Sequence, residues 1–398
     1  MTSVRSAAWM VAAVVAMLTC AVPASAQRRV IRPEGAPTDR PYSPGVLVGQ
    51  TLYISGQLGL PETGPTPAAM DVQARQAMDG VGGVLKAAGL GYQHLVKCHV
   101  YLANMDDYAA MNAVYGSYFI DRVPARTTVQ AVALPAGAGI QIACIGYADL
   151  ARISVVRPPP GSLPAPLGPY SPAVWAGDTL YVSGMGGQDP ATKAVGESVE
   201  AQVTQTVANI TTTLKAAGLG VADVAWAQGY ATRLEEAAGL QATLAKAVDS
   251  PRGLVVVPRL PGPIRAELTF IATRPSVSGT NFGTAGGIVG GPATSTDGPT
   301  RGVRRGSTVY VDAVIGTGDD VGAQARQAFA RLGALLQAGG VGLQDVAVVT
   351  VSLTDMADLP RMNTIFKETF PTDPPARVTI QVQPQAKERI RIGLIAAR

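Results

Sequence analysis

The hexapeptide TLYISG at residues 51–56 returns as TLYVSG at residues 179–184 and as TVYVDA at residues 308–313. Successive copies lie 128 and 129 residues apart. Each copy alternates apolar and polar side chains, which is the pattern of a strand with one buried face. A stretch that recurs at an almost constant interval indicates tandem copies of one structural unit.

A second motif recurs in the same order. KAAGLG at residues 86–91 returns unchanged at residues 215–220 and more weakly as QAGGVG at residues 337–342. Before each copy, apolar residues fall three and four positions apart, which predicts an amphipathic helix. The glycines expected to cap these helices in the left-handed conformation are Gly89, Gly218 and Gly339.

The remainder of each copy predicts a β-rich stretch, a second helix and two closing strands. The second helices are predicted over residues 106–119, 235–248 and 359–370, and the closing strands of the first copy over residues 127–132 and 140–147. The order β, α, β, α, β, β, with one or two strands in front, indicates the α+β class. Because the helices cover only one face of each sheet, the other face must be buried against neighbours, and the other two copies can supply them.

We place the three domains at residues 27–152, 153–275 and 276–398, the last being the most divergent. A Pro-rich segment at residues 157–169 is interpreted as a loop near the start of the second copy. The Gly-, Ser-, Thr- and Pro-rich stretch at residues 279–302 is expected to be an irregular, mobile loop.

Residues 1–26 have the pattern of a secretory signal peptide. Arg5 supplies the positive charge, residues 7–22 are apolar, and ASA at residues 24–26 fits a cleavage site. The apolar run of about 16 residues is shorter than a membrane-spanning helix needs. We therefore expect a periplasmic or secreted protein with no stable membrane anchor.

The remaining composition limits the partners and cofactors. A net charge of +4 and 15% charged residues, without basic runs, argue against a nucleic-acid partner. The two histidines, His94 and His99, form no Cys/His cluster with metal-ligand spacing, so we expect no metal and no cofactor. Cys98 and Cys144 could pair in an oxidising compartment, although the sequence favours two separate small buried residues.

Five segments carry a resemblance to a known family. They are GPYSPA at residues 168–173, LYVSG at residues 180–184, DVQARQ at residues 71–76, MNAVY at residues 111–115 and PARTTVQ at residues 124–130. Together they resemble the RidA/YjgF family of imine/enamine deaminases, and the likeness covers almost the whole chain after residue 26, three times over.

The resemblance implies three bacterial chorismate mutase-like (RidA-like) domains. Family members form homotrimers with ligand clefts between subunits, so a chain with three copies is expected to form a single-chain pseudo-trimer and to remain monomeric. Its three clefts would differ chemically. Family members hydrolyse imines and enamines such as 2-aminoacrylate to 2-keto acids and ammonia. An arginine is expected to bind the substrate carboxylate, and an acidic residue to orient the water.

Carried over residue by residue, the first copy matches the family's substrate-binding positions at Tyr42, Ser55, Asn112 and Arg126. Fifteen residues after that arginine, where the family has its acidic residue, this copy has Gln141. The resemblance therefore implies that it can bind a carboxylate but lacks the group that orients water.

The second copy matches at Tyr170, Ser183 and Gly184, with Arg252 and, fifteen residues later, Glu267. It is the only copy with both an arginine and an acidic residue in register. The resemblance implies that Arg252 and Glu267 form the catalytic pair of one cleft.

The third copy keeps Asn363 and Arg377 as substrate-binding candidates. Asp312 replaces the serine of the first-strand motif, and Arg391 stands near the acidic position. We interpret its own half-site as degenerate.

Two functions remain open at this stage. The first is a 2-iminobutanoate/2-iminopropanoate deaminase-type hydrolase, acting on small imino acids and releasing keto acids. The second is a non-catalytic protein that binds small carboxylates or serves as a scaffold, which Gln141 and Arg391 favour. Taken singly, the residues have simpler interpretations: an arginine on a strand is usually a surface residue, and Glu267 could pair with Arg265. The charge pattern gives no support to nuclease activity.

Overall fold

A computed structural model describes residues 28–61, 64, 66, 68–283, 300–385 and 387–398. The predicted signal peptide, residues 1–26, and most of the predicted loop at 279–302, residues 284–299, lie outside these ranges. None of the helices within them is both long and apolar enough to cross a bilayer.

The first unit is a mixed sheet backed by two helices. Its elements are β1 (Arg28–Ile31), β2 (Gly45–Val48), β3 (Thr51–Ile54), β4 (Gln57–Leu58), α1 (Met70–Ala87), β5 (Leu95–Leu102), α2 (Tyr108–Ser117), β6 (Ala125–Gln130) and β7 (Ile140–Tyr147). The strand order is β1-β2-β3-β7-β5-β6, with β4 also paired to β7. The β5–β6 pair is parallel, and the strand order places β6 at one edge of the sheet.

The second unit repeats this arrangement with a similar sheet order. Its elements are β8 (Ile153–Val156), β9 (Ala173–Ala176), β10 (Thr179–Val182), β11 (Met185–Gly186), α3 (Val199–Ala216), β12 (Val224–Ala231), α4 (Ala237–Ala247), β13 (Arg252–Val256) and β14 (Ala266–Thr273).

The third unit repeats it again. Its elements are β15 (Gly279–Gly283), β16 (Arg301–Arg305), β17 (Thr308–Val311), β18 (Val314–Ile315), α5 (Val321–Ala338), β19 (Val346–Leu353), α6 (Leu359–Thr369), β20 (Ala376–Gln381) and β21 (Ile390–Ala397). The expectation of an irregular loop from residue 279 is wrong at both ends, because residues 279–283 and 301–305 pair with each other as antiparallel strands.

The predicted helices and their caps form with one exception. Buried residues of α1 include Ala74, Met78 and Val81, which lie three and four positions apart and face the sheet. Gly89 and Gly218 take positive φ values of 77° and 74° after their helices, as predicted. In the third unit the positive φ belongs to Gly340 rather than Gly339, because α5 ends at the position equivalent to the end of α1 and Gly340 is the residue that aligns with Gly89 and Gly218.

Each sheet buries its second face against the other units. One apolar cluster joins Tyr101 and Val129 of the first unit, Tyr230 of the second, and Val378 and Ile380 of the third. The prediction that the uncovered faces require neighbours is therefore confirmed by these contacts.

The edge strand that follows the second helix contacts the next unit. Gly184 N donates to Arg126 O at 2.9 Å, Ala313 N to Arg252 O at 3.3 Å, and Gly56 N to Arg377 O at 3.0 Å. The contacts thus run from the first unit to the second, from the second to the third, and from the third back to the first. We call the three interfaces the Arg126, Arg252 and Arg377 clefts.

Cys98 and Cys144 form a disulfide bond in the first unit, with their Cα atoms 4.1 Å apart. The preference for two separate cysteines is therefore wrong. The two residues are direct partners in the register of β5 and β7, which the sequence alone does not reveal.

Candidate functional site

Arg126 lies on the edge strand β6 and is only 3% exposed. The centre of its guanidinium is 4.9 Å from the Tyr115 ring and 5.6 Å from each of the Tyr108 and Tyr170 rings. Its nitrogens donate to the Tyr108 hydroxyl at 3.1 Å and approach Met111 Sδ at 3.9 Å. Neither of these partners is a carboxylate, so the aromatic cage holds a cation that is suited to bind an anionic ligand.

The second unit completes this cleft with the loop before β9 and the residues that follow β10. Ser183 Oγ accepts the N–H of Arg126 at 2.8 Å and donates to the carbonyl of Ser171 at 2.6 Å. Tyr170, the residue before Ser171, places its ring over the Arg126 guanidinium. Gly184 has no room for a side chain, since a Cβ there would lie 2.1 Å from Glu267 Oε1 and 3.3 Å from Thr127 Cγ2. The loop of the second unit is therefore held directly against the arginine strand of the first.

Glu267 is the acidic residue of the same cleft. It lies on β14, 4% exposed, and its Oε1 has no hydrogen-bond partner. Burial raises the pKa of Glu267 to about 8, while the positive charges of Lys97 and Arg126 act in the opposite direction. A carboxyl group whose pKa is close to the working pH is suited to general acid–base catalysis.

Further buried polar atoms around Arg126 also lack partners. They are Asn112 Oδ1, the Tyr115 hydroxyl and Thr128 Oγ1. Tyr115 stacks on Arg126, Asn112 meets Arg126 beside Gly168, and Thr128 lies on the same face of β6 as Arg126. Since buried polar groups in folded proteins are nearly always hydrogen-bonded, these atoms indicate a place for a polar ligand and water.

The Arg377 cleft has the same framework with different chemistry. Ser55 Oγ accepts the N–H of Arg377 at 2.8 Å, and Tyr42 lies 4.7 Å from the guanidinium. Arg377 donates to Asn363 Oδ1 at 2.8 Å. In place of a carboxylate, the Gln141 amide donates to the carbonyl of Thr379 at 2.8 Å.

The Arg252 cleft differs from both. Asp312 occupies the position of the serine, and its carboxylate accepts the N–H groups of Arg252 and Arg301. Burial raises the pKa of Asp312 to about 6. Arg391, at the acidic position, forms a two-pronged ion pair with Glu388, with bonds of 2.9 and 3.0 Å. The negative charge of Asp312 also acts on the Arg252 guanidinium, and it competes there with a substrate carboxylate.

The structure does not bring Arg252 and Glu267 together, which corrects the predicted pairing. The backbone N–H of Arg252 bonds to Asp312 of the third unit, and the charge of that carboxylate acts on the Arg252 guanidinium, whereas Glu267 interacts with Arg126. The reason is topological: each arginine is on an edge strand that meets the following unit, so it shares a cleft with that unit's acidic position. The remaining predicted residues divide the same way, with Tyr170, Ser183 and Gly184 beside Arg126, and Tyr42, Ser55 and Gln141 beside Arg377.

Sequence reasoning missed Lys97, Thr127 and Thr269. Lys97 is 3% exposed, and its Nζ donates to Thr127 Oγ1, Val182 O and Thr269 Oγ1 at 2.7–2.8 Å. A signal was available, since Lys97 is the one charged residue in the strand LVKCHVYL and lysine is almost never buried without a partner.

These features define a class of protein: three α+β units of one type, with an arginine from one unit and the acidic position of the next meeting at each interface. The sequence profile of the family described as Endoribonuclease L-PSP, to which RidA/YjgF proteins belong, matches residues 34–148, 161–274 and 300–397. The chain belongs to this family.

Individual relatives match one unit at a time. The 2-iminobutanoate/2-iminopropanoate deaminase of Capra hircus is 44% identical over 121 residues, which is 30% of this chain and 88% of the relative. The human protein of the same name is 41% identical over the same shares. Among solved structures, the YjgF gene product of E. coli is 36% identical, with a TM-score of 0.29, and covers 30% of this chain and 99% of its own.

Proposed function

We propose that the Arg126 cleft hydrolyses small 2-imino acids to 2-oxo acids and ammonia. The observation that carries this proposal is the placement of two buried groups on opposite sides of one interface: an arginine whose hydrogen-bond partners include no carboxylate, and a glutamate whose Oε1 has no hydrogen-bond partner. The names of the relatives, 2-iminobutanoate/2-iminopropanoate deaminases, support the same substrate class.

The reaction needs few groups. Arg126 binds the substrate carboxylate, which orients the imine carbon in the cleft. The Glu267 carboxylate accepts a proton as water adds to that carbon, and the C=N double bond becomes a carbinolamine. Glu267 then returns the proton to the nitrogen and the C–N bond breaks. Ammonia leaves as the carbinolamine hydroxyl gives its proton to the Glu267 carboxylate and becomes the ketone, and loss of that proton to ammonia or solvent restores the carboxylate. One water is consumed, and neither oxidation nor reduction takes place.

The proposal includes the assembly and the compartment. The cyclic contacts between units are those that a single-chain pseudo-trimer would make. The Cys98–Cys144 disulfide is in keeping with an oxidising compartment outside the cytoplasm, as the signal-like segment at residues 1–26 suggests.

The matched variants Arg126→Ala and Arg252→Ala test the assignment. The measurement is 2-oxo acid formation from an imino acid generated in the assay by an amino-acid oxidase. We expect Arg126→Ala to lower kcat/KM by about 100-fold or more, because a charge-assisted bidentate contact worth roughly 3 kcal/mol is lost. Arg252→Ala should leave it within about twofold. The reverse ranking would overturn the assignment of the active cleft.

A second function is favoured for the Arg377 cleft. It retains an arginine, an asparagine and a tyrosine, but the Gln141 amide cannot accept a proton from water. We infer that this cleft binds small carboxylates without turnover. The predicted binding protein and the predicted enzyme would then coexist in one chain.

A further inference from the structure

Lys97 lies at the interface between the first and second units, beside the proposed active cleft. Its three hydrogen-bond acceptors come from both units: Thr127 from the first, and Val182 and Thr269 from the second. The Val182 carbonyl can only accept, and the Thr269 hydroxyl donates its own proton to Val182 O at 2.7 Å. The three acceptors therefore fit the three N–H donors of an ammonium ion.

This ammonium ion is close to Glu267. Thr269 is two residues beyond Glu267 on β14, so the two side chains are on the same face of the sheet. Thr127 and Glu267 also approach the same point beside Gly184. Burial lowers the pKa of Lys97, and the negative charge of Glu267 opposes that shift.

Two charged side chains lie near the pair besides Arg126: Arg391, which lines the same central cavity as Lys97, and Glu388, with which Arg391 forms an ion pair. The other titratable groups there are neutral at pH 7. His99, on the same strand as Lys97, has its pKa lowered well below its ordinary value by burial and by Lys97. Tyr230 and Tyr170 have their pKa values raised by burial and by the charge of Glu267. The cations that act on Glu267 are thus Lys97 and Arg126, and substrate would occupy Arg126.

The other two clefts lack both the acidic residue and this lysine arrangement. Strand registers place Val348, Val378 and Ala143 at the positions of Lys97, Thr127 and Thr269 in the Arg377 cleft. The Arg252 cleft has Trp226, Gly253 and Gly393 there. The lysine and its two hydroxyl partners therefore occur only where the acidic position is occupied by a glutamate.

We propose that Lys97 is a positioning residue for the proposed reaction: an ammonium ion, fixed across the interface by three hydrogen bonds, that increases the carboxylate fraction of Glu267 near neutral pH. This inference rests on the proposed deaminase function. Lys97 does not contact substrate, because its three N–H donors are already used.

The test compares Lys97→Met with Lys97→Arg, and with the triple variant Lys97→Val/Thr127→Val/Thr269→Ala. The triple variant copies the apolar side chains that pack in the Arg377 cleft, so it tests the idea even if the single variant folds poorly. Lys246→Met removes one charge from an exposed position and serves as control. The first measurement is the pH profile of kcat/KM.

In Lys97→Met and the triple variant, we expect the midpoint of the acid limb to move up by about 1–2 pH units, as loss of a nearby opposite charge does. Activity would fall about tenfold or more at pH 7 and recover at higher pH. Lys97→Arg and Lys246→Met should keep the wild-type midpoint. A loss that is equal at every pH, or an unchanged midpoint, would overturn the proposal.

A second measurement does not depend on turnover. Carbon-13 NMR of carboxyl-labelled glutamate, assigned with Glu267→Gln, follows the titration of Glu267 directly. A higher titration midpoint in Lys97→Met supports the inference even if no imino acid is hydrolysed, in which case only the proposed function fails. An unchanged Glu267 titration refutes the inference whatever the activity.

Discussion

The Arg126 and Arg377 clefts share a backbone framework and differ in the chemistry placed on it. In both, a serine hydroxyl accepts the arginine N–H at 2.8 Å and donates to a carbonyl of the preceding loop at 2.6 Å. One cleft then has Glu267 with an unpartnered oxygen, and the other has Gln141 bonded to a carbonyl. The difference teaches that the interface geometry does not depend on which residue occupies the acidic position, because main-chain hydrogen bonds and cross-interface packing maintain it.

Replacing Glu267 by the glutamine found in the other cleft gives the largest expected effect. Glu267→Gln makes the Arg126 cleft resemble the Arg377 cleft, where an amide is already accommodated. Because the variant retains Arg126 but cannot accept a proton from water, kcat should fall about 10²–10⁴-fold. Binding of a 2-oxo acid, measured by calorimetry, should be retained. Unchanged turnover would remove the distinction between the two clefts.

The reverse exchange should have a smaller effect. Gln141→Glu, introduced into Glu267→Gln, gives the Arg377 cleft an arginine and a carboxylate. We expect turnover about tenfold above that of Glu267→Gln alone, well short of wild type, because Val348 stands where Lys97 would support the new carboxylate. Adding Arg377→Ala should abolish the gain. If the added turnover remains after Arg377→Ala, it does not come from the Arg377 cleft.

The smallest expected effect concerns stability and its dependence on pH. The pKa of Glu267 is about 8 in the folded protein against an ordinary value of 4.5. Between these values the folded state retains a proton that the unfolded state releases, so the stability contribution of Glu267 falls as the pH rises. Glu267→Gln removes this loss. The melting temperature of Glu267→Gln should exceed that of wild type, and the difference should be larger at pH 7 than at pH 5. Each kcal/mol of unfolding free energy corresponds to roughly 2–4 °C. A constant difference would show that Glu267 ionises normally in the folded chain.

Much of the fold could be predicted because its signals are local. The recurrence of residues 51–56, the spacing of Ala74, Met78 and Val81, and the glycine after each of the first two helices predict three α+β units without any knowledge of their arrangement. Tyr170, Ser183, Arg126 and Glu267 could likewise be selected one by one. Their grouping could not be predicted. Arg252 and Glu267 are fifteen positions apart in one unit, but each cleft forms between two units, so each arginine meets the acidic position of the following unit.

The amino-acid sequence by itself determined the repeat, the class of each unit and the types of residue available for chemistry, since these depend on periodicity and spacing along the chain. Only the tertiary structure decided that Glu267 meets Arg126 rather than Arg252, that Cys98 bonds to Cys144, and that Lys97 is buried beside the acidic residue. Those outcomes depend on the register of strands within a sheet, on which edge of a sheet faces which neighbour, and on the burial that follows. Such contacts join residues 46 positions apart in the disulfide and 172 positions apart in the Lys97–Thr269 hydrogen bond, and no local pattern encodes them.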